Sequence, residues 1–166
     1  MATDASREPA LDLVLLLSQA SHALTTELTA ELAELGITPR AHCVLSHALQ
    51  GELTQSQLAE RCALDKTTMV VTIDELERDG LAERRPSSTD RRVRIIAVTA
   101  AGRRIVAQAQ AIVSRIYDDV LATLPVAERG PFLDALVHLV EGRLSTPVRC
   151  ERPVRRRVPR SRKLVS

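Results

Sequence analysis

The chain has 166 residues, enough for one domain with a buried core, and 45% of them are hydrophobic while only 1% are aromatic. That shortage of aromatic rings argues against single-strand nucleic-acid binding by stacking, and no apolar run of about 18 residues is present to cross a membrane. The net charge of +2 hides an asymmetry, because residues 147–166 hold eight basic and one acidic residue while residues 1–146 hold 15 basic and 20 acidic ones.

The opening MATDASREP carries acids and lacks the basic-then-apolar pattern of a signal peptide, so a cytoplasmic location is expected. Cys43, Cys62 and Cys150 are odd in number and widely spaced, which rules out a disulfide framework. They read as two half-buried small residues and one exposed thiol in the tail.

Residues 1–8 are polar and expected to be disordered. A helix is expected over 9–35, stopped by Gly36. Leu17, Leu24, Leu28 and Leu35 fall on one stripe of it, but Leu11 and residues 13–16 make its first turns apolar nearly all round. Such a helix needs a second surface to bury against. Thr38 and Pro39 open the next helix, as cap and first helical residue, with Ala41, Val44, Leu45, Ala48 and Leu49 inward.

Thr54 caps a third helix over residues 55–62, and Leu64 in the following turn is expected to plug the core. Asp65 caps a fourth helix, which Gly80 stops. Met69, Val70, Ile73 and Leu76 are read as its inner side. Lys66, Thr67, Thr68, Val71 and Thr72 are read as its outer side. A strand–loop–strand follows, closed by Pro86 and reopened by a β-branched run over residues 92–98. Five of the eleven residues 84–94 are arginines. Thr99 caps a long helix over 100–124 with Ile105, Ala109, Ile112, Ile116 and Val120 on one stripe. A last helix leads to about Leu144, its start disputed by Gly130 and Pro131.

A short helix, a tight turn, a second helix and a basic hairpin is the order of a winged helix-turn-helix. The fold expected is mainly α with a small β-hairpin wing, flanked by N- and C-terminal helices. Residues at the start of a second helix can read base edges in the major groove. Lys66, Thr67, Thr68, Val71 and Thr72 are therefore candidate DNA contacts, and Thr54, Gln55 and Ser56 at the start of the preceding helix are counted with them. Arg85, Asp90, Arg91 and Arg92 join them from the hairpin, because minor grooves attract inserted arginines. Asp90 is misplaced for touching a polyanion. Its natural role is to hold Arg92, or to cap the loop so that an arginine points outward.

Residues 53–102 resemble the core of the multiple antibiotic resistance regulator (MarR) family. Asp90-Arg91-Arg92 matches the family's D-x-R wing signature, and the β-branched strand closing in Thr99 and Gly102 matches its continuation. The resemblance covers residues 9–146, with the winged helix-turn-helix over 38–99 and dimerisation helices over 9–35 and 100–146. Residues 147–166 form a basic tail expected to be disordered. The resemblance implies a homodimer that represses from a pseudo-palindromic operator on double-stranded DNA. It also implies release in many members by a small lipophilic or phenolic ligand.

The resemblance places such a ligand in a cleft drawing on the first helix, the second and the start of the fifth. Ser18, His22, His42, Cys43 and His47 are the polar candidates there, each equally readable as a core or dimer-interface residue. Peroxide-responsive members carry a reactive cysteine near the start of the first helix, and none lies in residues 1–42. Cys43, beside His42, is the remaining thiol-sensing candidate. The four histidines make no HxxxH pair, so no metal and no cofactor is expected. No nucleophile–base pair or phosphate-cradling glycine loop supports an enzyme. An architectural protein with little sequence preference is the alternative that the basic tail would favour.

Overall fold

The computed structural model describes residues 12–146; the expectations for residues 1–11 and for the basic tail with Cys150 lie outside them. The described residues divide into two compact units, with the boundary after Leu121. The elements of the first are α1 (Leu13–Leu32), α2 (Pro39–Ala48), α3 (Gln55–Arg61), α4 (Lys66–Arg78), β1 (Ala82–Pro86), β2 (Arg94–Val98) and α5 (Ala100–Ala122). The second holds α6 (Val126–Glu141).

The boundaries follow from side chains that satisfy orphan backbone groups at helix ends. Asp12, Thr38, Thr54 and Asp65 each accept a backbone N–H three residues on, and Thr99 does the same for Gly102. Gly36 and Gly80 end their helices in the left-handed conformation, at φ 70° and 69°.

Two aliphatic clusters form the core of the first unit. The larger joins α2, α3, α4 and the hairpin through Leu45, Leu58, Met69, Ile73 and Ile96. The second joins α1 to α5 through Leu28, Leu32, Ala109, Val113 and Ile116. The hairpin is antiparallel with Ala82 opposite Val98 and Pro86 opposite Arg94. Its second strand is held from the other side by the Ile96 N–H, which donates to Leu53 O at 3.0 Å. Gly102 permits the close seating of α5, since a Cβ there would stand 2.1 Å from Leu81 O.

Three expectations need correction. The stripe on α4 is Met69, Thr72, Ile73 and Leu76, while Val70 is 39% exposed. Residue type suggested Val70 inside and Thr72 outside; the 3-1-3 helical spacing decides otherwise. On α5, Val106 and Val113 are buried, Ile105 and Ile112 are half-buried, and Val120 is exposed. In the second unit Pro131 lies well inside α6 without breaking it, and Pro125 is the N-cap of that helix. The Arg129 guanidinium ties that start down, donating to Leu124 O and Ala122 O at 3.1 Å each.

The first five residues of α1, Leu13 to Leu17, are 38–75% exposed. Phe132, Leu133, Val137 and Val140 of α6 are exposed as well. No helix among the described residues is long and apolar enough to cross a membrane.

Candidate nucleic-acid interface

The helix pair α3–α4 is built by local hydrogen bonds. Thr54 and Gln57 form a reciprocal capping box, in which the Gln57 N–H donates to Thr54 Oγ1 at 3.3 Å and the Thr54 N–H to Gln57 Oε1 at 2.9 Å. At the other end Ala63 takes a left-handed φ of 51°. Its N–H donates to Glu60 O at 3.2 Å, and that of Leu64 to Ala59 O at 2.9 Å. This 6→1, 5→2 pairing is a Schellman turn. It swings Leu64 onto the larger core and delivers Asp65 to the start of α4.

Asp65 accepts from the Thr68 N–H at 2.9 Å and from the Thr68 hydroxyl at 2.6 Å. Those bonds, the hydroxyl first, hold its carboxyl below the usual carboxylate range. Thr68 is therefore committed within the helix. Thr72 is only 3% exposed, and its hydroxyl donates to Thr68 O at 2.8 Å. It is removed from the outward surface on which it was expected. In the first half of α4 the exposed residues are Lys66, Thr67, Val70 and Val71.

The wing is tied to this pair twice. Arg84 on β1 is the first tie. Its guanidinium pairs with Glu77 and reaches Asp74 at 2.7 Å and Gln55 at 3.4 Å, while its N–H donates to Glu77 Oε1 at 2.7 Å. Gln55, expected at DNA, is thus engaged by the wing, and Thr54 by its own cap; Ser56 is exposed. Glu52 is the second tie. It accepts from Ser87 Oγ at 2.6 Å and from the Ser88 N–H at 3.0 Å. The Ser87 bond, ahead of those from Ser88, keeps the Glu52 carboxyl below its usual range.

At the wing tip Asp90 Oδ1 accepts from the Arg92 N–H at 2.9 Å, and the Val93 N–H donates to Asp90 O at 2.9 Å. Asp90 therefore caps the loop through the backbone and makes no ion pair with either neighbouring arginine. Arg91, Arg92 and Arg94 are exposed and form no ion pair among the described residues. Arg85 is exposed, with Glu83 3.9 Å away. The unit offers a cationic hairpin beside a helix face of Lys, Thr and Val. Such a surface can hold phosphates by charge and meet base edges by hydrogen bonds and methyl contact.

A cavity of about 300 Å³ opens between α1, α2 and α5. Of the five polar candidates, His42, Cys43 and His47 line it; Ser18 and His22 lie on an exposed stretch of α1 and do not. The α5 contribution comes from its middle, through Gln110, Val113 and Tyr117, rather than its start. Ser46 and Gln50, which were not among the candidates, add to the polar lining. Burial pushes the His42 imidazole below its ordinary pKa, and Ser46 Oγ lies 3.3 Å from its Nε2. Cys43, His47 and Cys62 bring their donor atoms within 4.8 Å of one another, through a contact between helices that local spacing does not reveal.

These features define a winged helix-turn-helix protein of the transcription-regulator class. Residues 35–93 match the MarR family model. The chain is 33% identical over 113 residues, 68% of each chain, to a Thauera aromatica protein named as a candidate transcriptional regulatory protein for the hcr operon. Two solved structures share the fold. CouR from Rhodococcus jostii RHA1 bound to p-coumaroyl-CoA is 27% identical with a TM-score of 0.74, covering 87% of this chain and all of that one. The transcriptional repressor CouR bound to a 23-mer DNA duplex is 26% identical with a TM-score of 0.70, covering 77% of this chain and 92% of that one. The chain belongs to the MarR family of transcription regulators.

Proposed function

We propose that the protein is a homodimeric repressor that binds a pseudo-palindromic operator in duplex DNA. In this reading α4 enters the major groove with Lys66, Thr67 and Val71 at the bases. Arg91 and Arg92 enter the adjacent minor groove, and Ser56 and Arg85 meet phosphates. The observation that carries it is the wing: Arg91, Arg92 and Arg94 are exposed and form no ion pair among the described residues, while Arg84 and Glu52 spend their hydrogen bonds holding that wing to the helix pair. A DNA-bound relative with the same fold supports it.

The exposed leucines of α1 and the exposed apolar residues of α6 support dimerisation, because faces of this kind are normally covered. A small lipophilic or phenolic ligand in the α1–α2–α5 cavity would act as the release signal. Leu28, Leu32 and Val113 supply an apolar wall there, and His42, Gln50 and Gln110 supply polar points. The protein acts by binding and performs no chemistry. Footprinting on DNA flanking its own gene tests the reading. Two protected major-groove segments about one helical turn apart are expected; protection without that spacing would overturn it.

A further inference from the structure

We propose that Cys43, His47 and Cys62 form a binding site for a thiophilic divalent cation of the Zn²⁺ class. Cys43 and His47 stand one turn apart on α2, which places them on the same face of that helix. Cys62 caps the C-terminus of α3, just before the left-handed Ala63. The two sulfurs and one imidazole nitrogen lie within 4.8 Å of one another. Around a tetrahedral Zn²⁺, bond lengths of about 2.0–2.3 Å put donors about 3.5–3.8 Å apart.

Two further observations favour a cation over simple packing. His47 Nδ1 is buried and has no hydrogen-bond partner among the described residues. An orphaned buried polar atom calls for an explanation, and it sits on the side chain that completes the donor set. Charge also balances, since two thiolates and a neutral imidazole around a divalent ion make an uncharged group suited to a half-buried position. Arg61, the nearest cation on α3, is already occupied with Gln50 at 3.3 Å.

Without metal, burial and the adjacent Cys43 push the Cys62 thiol up to about 12. Thiols bind a metal as thiolates, so loading would release protons to solvent and weaken as pH falls. Two sulfurs and one nitrogen select a borderline-soft ion against Mg²⁺ or Ca²⁺. Cys43 and His47 also line the α1–α2–α5 cavity, which leaves a fourth position for water from that side. An occupied site would pin α3 to α2. This inference stands independently of the DNA-binding reading.

The test uses the reduced, chelator-treated full chain titrated with Co²⁺ and then Zn²⁺. The expected result is one equivalent of Co²⁺ bound with tetrahedral d–d bands, thiolate-to-cobalt charge transfer and proton release, then bleached by one equivalent of Zn²⁺ with no further proton release. Cys43→Ala, Cys62→Ala and His47→Gln should each lose tight binding while keeping the helical circular-dichroism signal; Cys150→Ala should bind as the parent does. X-ray absorption on the Zn²⁺-loaded parent should read two sulfurs and at least one nitrogen, which keeps the test valid if a cysteine variant fails to fold. Absence of charge transfer, an all-nitrogen/oxygen shell, or unchanged binding in the Cys43→Ala and Cys62→Ala variants would overturn the proposal.

Discussion

Glu52 Oε2 accepts a hydrogen bond of 2.6 Å from the hydroxyl of Ser87, 35 residues away in the chain. The first residue lies between α2 and α3, the second where the wing leaves β1, and the bond makes the wing part of the helix-turn-helix. Glu52→Ala should therefore weaken DNA binding while leaving helix content and the melting curve close to those of the parent. Because the bound Glu52 carboxyl titrates below its ordinary value of 4.5, the tether is complete above that value. It is lost as pH falls through the lowered one. The Ser88 amide resonance should report this midpoint by NMR; a midpoint at or above 4.5 would show that the tether does not form.

Arg92 is exposed, and its backbone rather than its side chain is held by Asp90. Arg92→Ala should cost about 1–3 kcal/mol of operator affinity, the worth of a good groove contact, with the oligomeric state unchanged. Equal affinity for parent and variant in a gel-shift titration would show that the wing does not reach DNA.

The two sides of α4 separate by a pair of substitutions. Thr72→Val keeps the shape of a buried side chain and removes one hydroxyl bond to Thr68 O. It should change stability by no more than about 1.5 kcal/mol and leave DNA affinity intact. Val71→Asp, on the exposed side, should abolish specific binding without unfolding the protein. The reverse pattern in paired urea and DNA titrations would mean that Thr72 reads the bases.

Gly102→Ala should destabilise the fold by about 1–3 kcal/mol through overpacking, despite a helix-propensity gain of about 1 kcal/mol. The added carbon would meet Leu81 O at 2.1 Å and Val98 Cγ1 at 2.7 Å. A urea midpoint raised above that of the parent would contradict this close seating of α5 on the hairpin.

His42 introduces a pH dependence of its own. Its imidazole is neutral and its folded pKa is lowered by burial, so the unfolded chain binds the proton more readily. The contribution to stability is complete above the ordinary value of 6.5 and is lost as pH falls through the lowered folded value. Urea midpoints for His42→Gln should depend less on pH below 6.5 than those of the parent. Parallel curves would remove His42 as the cause.

The order of elements was legible because each boundary is carried by one side chain with one local job. Thr38, Thr54, Asp65 and Thr99 cap, and Gly36 and Gly80 reverse the chain. The sides of α4 were harder, since hydrophobicity sorted Val70 and Thr72 one way and the helical period sorts them the other. The ties of Arg84 to Asp74 and of Glu52 to Ser87 could not be read at all. They join residues 10 and 35 apart whose charges look like ordinary surface until the hairpin folds back. Cys62 was obscured in the same way, because its nearness to Cys43 and His47 depends on how α3 packs against α2. Asp90 was readable as a loop cap, and the backbone bond to Arg92 is its form.

The most direct measurement is affinity at fixed salt for duplex DNA flanking the gene, compared with a scrambled duplex of equal length. Specific recognition by α4 and the wing predicts a preference of about 10³ or more for the flanking DNA. Equal affinity for the two duplexes would contradict it and leave only non-specific attraction between phosphates and the basic groups.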